Sequence, residues 1–185
     1  NIENFMIGLP GRDWQMRAEA AQQWGQDEAN AFFAAWEQHF ITEADIANIA
    51  QRGFDSIRLP FVYRLLESDS APGKYAGSTW DAIARCLQWC EKYGLAVMLD
   101  LHGAPGGQNT THPSGNATGY PLLWQEKHYQ DRTVDLWQEL VARSQKSNAF
   151  FACNFFNEPM VNNHGPQTHK EQADAMNDLY MRLAD

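Results

Sequence analysis

What most constrains the fold of this chain is a grammar that it repeats: an amphipathic helical stretch, a glycine, then a short apolar run that ends in a polar residue. Helical and extended segments in that alternation build βα units around a parallel sheet. Glu28 to Phe40 is rich in Ala and aromatic residues, has no breaker, and reads as a helix. Thr42 then stands as an N-cap with Asp45 three residues on as its partner. The helix it opens carries Ile46, Ile49 and Ala50 on its apolar face and stops at Gly53. A strand over Asp55–Leu59 follows, which Pro60 is expected to halt.

The next unit uses the same signals. Ser78 with Asp81 is expected to cap a helix whose inner face is Trp80, Ile83, Leu87 and Cys90, with Gly94 as its stop. Leu95 to Leu101 is apolar except for Asp100, as expected of a strand buried on both faces. A third unit pairs a helix over Gln130–Lys146 with a strand over Ala149–Phe156. A last helix over Pro166–Ala184 should turn Ala173, Met176, Leu179, Tyr180 and Leu183 inward, and a further strand end is expected at Asn1–Phe5. A closed (β/α)8 barrel needs eight strands and typically ~250 residues. The 185 residues therefore predict one α/β domain over 1–185, a partial TIM barrel holding about strands one to four. The Gly-, Pro-, Ser- and Asn-rich stretch Gly103–Pro121 reads as a long functional loop.

Charge narrows the ligand. A net charge of -9 argues against nucleic acid, whose phosphates need Lys and Arg, and against an anionic membrane surface. No apolar run approaches the ~20 residues of a membrane helix. Neutral ligands stay open, and seven Trp, ten Phe and six Tyr supply flat apolar faces for sugar rings, although most of them are expected in the core. Cys86 and Cys90 lie one helical turn apart, but no His or second Cys pair completes a metal site, so buried thiols are expected. Asn109-Thr110-Thr111 and Asn116-Ala117-Thr118 are formal glycosylation sequons that matter only in a eukaryotic secretory setting.

Each expected strand ends in a functional side chain: Arg58 after the first, His102 after the second, Asn157 and Glu158 after the third. Taken singly these read as a surface ion pair, a loop histidine and a solvated charge. Their shared position changes that, because the C-terminal ends of barrel strands converge on one face and the active site lies there. The residues that carry this pattern also resemble a known family. Ile41-Thr42-Glu43-Ala44-Asp45-Ile46 with Arg52-Gly53-Phe54-Asp55-Ser56-Ile57-Arg58-Leu59-Pro60 resembles the second βα unit of glycoside hydrolase family 5, which contains cellulases and β-1,3-glucanases. Asp100-Leu101-His102-Gly103-Ala104-Pro105-Gly106-Gly107-Gln108-Asn109 is similar to its strand-three loop, and Phe156-Asn157-Glu158-Pro159 to its strand-four signature.

The resemblance implies a retaining hydrolase of β-linked glucans, cellulase-like, with no metal and no cofactor, and a secreted protein, although no leader pattern is visible. It makes Glu158 the general acid/base, Asn157 a ligand of the sugar 2-hydroxyl, Arg58 the holder of a nucleophilic carboxylate and His102 a second sugar contact. An acid catalyst has to stay protonated near neutral pH, so burial or a nearby like charge is expected around Glu158. His112 and Trp124, on or near the long loop, are weaker candidates for sugar contact, and loop packing is the preferred role for each. Two departures stand out. Leu9 precedes Pro10 where exo-acting relatives often carry Glu, and the family's nucleophilic Glu belongs to a strand later than Asp185. Half a barrel leaves sheet edges unpaired, so a homodimer of half-barrels is expected, with two copies of Glu158 facing each other. A separation of ~5–5.5 Å would suit retention and ~6.5–9.5 Å inversion. The competing reading is a glucan-binding or structural half-barrel remnant without turnover.

Overall fold

The computed structural model describes residues 11–111, 114–162 and 166–185. The strand expected at Asn1–Phe5, Leu9 with Pro10, and His112 lie outside the described residues. Three parallel strands form the centre: β1 (Ser56–Val62), β4 (Ala96–Gly103) and β5 (Phe150–Asn154), in the order β1-β4-β5. Between β1 and β4 an antiparallel pair, β2 (Glu67–Ser68) and β3 (Ala71–Tyr75), forms a small hairpin.

Six α-helices surround these strands among the described residues. They are α1 (Asp13–Trp24), α2 (Gln26–His39), α3 (Glu43–Gln51), α4 (Ser78–Tyr93), α5 (Lys127–Ser144) and α6 (His169–Ala184). The chain is thus an α/β fold in which helices alternate with parallel strands.

Local chemistry accounts for most boundaries. Thr42 caps α3 as a full capping box, Asp45 N–H to Thr42 Oγ1 at 3.3 Å and Thr42 N–H to Asp45 Oδ2 at 2.8 Å. Gly94 ends α4 in the left-handed region at φ 72, and Leu95 N–H returns to the Cys90 carbonyl at 2.8 Å.

Several boundaries differ from expectation. Pro60 does not halt β1, which continues to Val62. β1 is outermost in the described sheet, where a missing N–H can face away from the ladder. Ser78 is inside α4, whose N-cap is Gly77. The Ser78 hydroxyl donates to Glu37 of α2 at 2.6 Å in place of capping with Asp81. α6 begins at His169, after a Thr168–Glu171 capping box, and Ala175 packs against its core where Ala173 was expected.

The core is built on β4. Val97, Leu99 and Leu101 are fully buried, against Ile83, Leu87 and Cys90 of α4 and Leu136 and Leu140 of α5. At ~1.5–3 kcal/mol for each large apolar side chain buried, this layer carries most of the fold's hydrophobic stabilisation. Cys86 and Cys90 are buried free thiols on the inner face of α4, and Cys153 is half-buried. A second, small core of Met16, Ala20, Ala29 and Phe33 lies within the α1–α2 hairpin. No helix among the described residues is long and apolar enough to cross a membrane.

Candidate active site

Parallel pairing in register brings the strand ends together. Arg58 lies opposite Met98, Pro60 opposite Asp100, and Asp100 opposite Asn154. Asp100 and His102 are two residues apart on β4 and so share one face of the sheet. Asp100 is fully buried and is the centre of the cluster. Its Oδ2 lies 2.7 Å from His102 Nδ1 and is paired with Arg58 Nη2 at 2.9 Å, while its Oδ1 accepts from Asn154 Nδ2 at 2.8 Å. Arg58 Nη2 also donates to Asn157 Oδ1 at 2.6 Å. Arg58, His102 and Asn157 therefore meet, with Arg58 inside β1, which runs on to Val62, and Asn157 past the end of β5.

The long loop closes this cluster into a ring. Gln108 is fully buried, and its Nε2 donates to the His102 carbonyl at 2.8 Å and to the Asn157 carbonyl at 2.9 Å. Its Oε1 accepts from Ala104 N–H at 3.1 Å. The path Asp100–His102–Gln108–Asn157–Arg58 returns to Asp100 through these contacts. The loop can run this close because its glycines carry no side chain. At Gly103 a Cβ would sit 2.5 Å from the Ser114 carbonyl oxygen. At Gly107 (φ +79) it would sit 2.5 Å from Asn116 Nδ2.

Glu158 adjoins the ring through its backbone. It is the one non-glycine residue with positive φ among the described residues, at 46°, and its carbonyl accepts from Asn109 Nδ2 at 2.8 Å. A left-handed glutamate is held only where the surroundings over-determine it. Asn109 and the Asn157 N–H bond to Leu101 O, 3.0 Å long, supply that restraint. The Glu158 side chain is exposed, so the burial expected of an acid catalyst is not provided by the described residues.

Trp124 takes the loop-packing role of the two weighed for it. It is 1% exposed, its indole N–H donates to the Gln108 and Met160 carbonyls at 3.0 and 3.2 Å, and its ring meets Phe156 edge-on at 5.5 Å. It packs the loop and presents no face to a sugar. Asp100, Gln108 and Asn109 were missed as site residues. Their only signals are a charge inside an apolar strand and amides in a glycine-rich loop.

Two cavities flank the cluster. His102 lines an apolar one of about 220 Å³ that reaches Trp36, Phe40 and Trp89. A second one of about 640 Å³ is lined by Tyr63, Gly107, Tyr129 and Arg132. There Arg132 is engaged by Glu67 at 2.5 Å and Asp69 at 2.8 Å. No group of three or more His, Cys, Asp or Glu suited to a metal ion occurs among the described residues.

Parallel strands alternating with helices make this an α/β protein, and a polar cluster carried by neighbouring strands is an arrangement that (β/α)8 barrels place at their strand-end face. The chain belongs to glycosyl hydrolase family 5: the family's cellulase model matches residues 16–184.

Among curated proteins it is similar to a beta-xylosidase of Phanerodontia chrysosporium, 38% identical over 159 residues, covering 86% of this chain and 33% of that protein. It is also similar to endoglucanase C of Acetivibrio thermocellus, 40% identical over 119 residues, 64% of this chain and 33% of that protein. The chain thus spans about a third of the length of these curated relatives. The solved structure of rutinosidase from Aspergillus niger shares the fold, with a TM-score of 0.71 at 18% identity over 98% of this chain and 53% of that one.

Proposed function

We propose that residues 1–185 form one barrel-type unit that carries the acid/base side of a retaining, β-glucan-cleaving site, with Glu158 as the general acid/base. The observation that supports this reading most is the ring of Arg58, Asp100, His102, Gln108 and Asn157 beside Glu158 in a chain of this family. Glu158 protonates the glycosidic oxygen as the bond breaks and then takes a proton from the attacking water. Arg58 fixes the Asn157 amide by donating to its oxygen, which leaves the Asn157 NH2 as a donor for a sugar hydroxyl. Arg58 makes both of these contacts, to Asn157 and to Asp100, through Nη2, and its side chain is 43% exposed. Its other N–H groups remain to orient a second carboxylate.

Retention needs that second carboxylate as nucleophile. Asp100 does not serve, because both of its oxygens are engaged. The nucleophile is a carboxylate from outside the described cluster, either from a later strand of a longer chain or from the second copy in a homodimer. Mass in solution, with and without added C-terminal barrel sequence, separates the two. The family resemblance makes the substrate a β-linked glucan met outside the cell.

The test is reducing-sugar release from carboxymethyl-cellulose and from a β-1,3-glucan, compared with Glu158→Gln. The expected outcome is a loss of roughly 10²- to 10⁴-fold on removing the acid/base. Equal rates in the two proteins would remove Glu158 from the chemistry. The exposed Glu158 carboxylate is what favours the second reading, a glucan-binding unit without turnover. Glucan binding with no release from either protein would select it.

A further inference from the structure

We infer that Asp100 is a positioning residue that holds His102 in the Nδ1–H tautomer, so that Nε2 meets the sugar as a hydrogen-bond acceptor. A neutral imidazole carries its proton on one nitrogen, and the partner of the other decides which. His102 Nδ1 lies 2.7 Å from Asp100 Oδ2, and a carboxylate ion-paired with a guanidinium offers only acceptor sites. The proton between them therefore belongs to His102 Nδ1. The arrangement cannot easily invert, because every other contact of Asp100 is also with a donor. Arg58 Nη2 shares Oδ2 and Asn154 Nδ2 occupies Oδ1. His102 cannot swing away either, since its backbone carbonyl is tied to Gln108 and its side chain is 13% exposed.

Resting on the proposed glycosidase reading, the consequence is one of specificity. Arg58 and Asn157 present N–H donors at the site, and His102 Nε2 presents a lone pair. A group that satisfies both must donate one proton and accept others, which a free hydroxyl does. An O-methylated or deoxygenated sugar carbon at that place lacks the proton that Nε2 accepts. Asp100 thus writes a requirement for a hydroxyl into the site without touching the sugar.

Imidazole ¹⁵N–¹H correlation spectra of the chain, without substrate and at a pH where imidazoles are neutral, test the tautomer directly. His102→Gln identifies the signal. The wild-type chain should show His102 with the proton on Nδ1, Asp100→Ala, which leaves no acceptor at that place, should lose that preference, and Glu158→Gln should keep it. A wild-type His102 protonated on Nε2 overturns the inference, as does a folded Asp100→Ala chain with the Nδ1–H tautomer intact. Should Asp100→Ala fail to fold, the wild-type spectrum decides alone. Failure of glucan release leaves this result standing, so the two readings are separable.

Discussion

Gln108 concentrates at one residue the cost of building a site from loop backbone. It bonds to two carbonyls and one N–H, belonging to His102, Asn157 and Ala104, and is wholly buried. Removing the amide at this buried place takes the partner from each of these groups, at ~1–3 kcal/mol for each one left unsatisfied. Gln108→Leu keeps the volume and loses every bond. It should cost about 3 kcal/mol or more, which for a chain of this size lowers the unfolding midpoint by roughly 6–12 °C. Thermal unfolding followed by circular dichroism checks this, and a midpoint within ~2 °C of wild type would mean that the ring is not held by the amide. The same residue shows why part of the site was illegible in the sequence. Arg58, His102 and Asn157 stand out in the sequence because each closes an expected strand, although β1 runs on past Arg58 to Val62. Gln108 stands in a loop whose path no periodicity specifies, and Asp100 inside an apolar run reads as an interruption until its three donors are seen around it.

Among the elements, those written in caps and periodicity were legible. The α3 capping box and the apolar run of β4 appear where expected, and α4 turns Trp80, Ile83, Leu87 and Cys90 inward. α1 was not legible, because Met16 and Ala20 are its only buried apolar residues among charged and amide neighbours. The β2–β3 hairpin was not legible either, since one strand has two residues and the other contains Pro72 and Gly73. The α3 cap also carries a pH signature. Hydrogen bonds from the Thr42 side chain first, and then its backbone, hold the Asp45 carboxyl below its ordinary value of 3.8. A depressed folded value means stability that is complete above pH 3.8 and lost as pH falls through the lower folded value. Thr42→Ala should cost about 1 kcal/mol near neutral pH. Its deficit should shrink in acid, once Asp45 is protonated in both proteins. Urea unfolding at neutral pH and near pH 3 measures both, and a deficit that grows in acid would contradict the sign.

At the scale of the whole molecule, stability should come in two tiers. The sheet core contains fully buried side chains from β4, α4, α5 and α6, whereas the α1–α2 hairpin encloses only Met16, Ala20, Ala29 and Phe33. Two of those four are alanines, so the apolar gain rests mainly on Met16 and Phe33, roughly 3–6 kcal/mol together. Larger apolar groups of the hairpin face outward instead, with Trp24, Phe32 and Phe40 each at least 40% exposed. Polar contacts tie the hairpin to the rest: Ser78 to Glu37 at 2.6 Å, and Trp14 Nε1 to the Gly115 carbonyl at 3.2 Å. Elements with few buried apolar contacts open locally before the global transition. Amides of α1 and α2 should therefore exchange with deuterium well ahead of those of Val97–Leu101. Phe33→Ala should speed exchange in the hairpin while leaving β4 protection nearly unchanged. Because Trp14 reaches the loop that holds Gln108 and Asn109, loop amides near Gly115 should gain exchange in the same variant. Uniform protection across hairpin and sheet would instead mean that the two cores open as one cooperative unit, and the Trp14 contact would then be a fixed part of the site's frame.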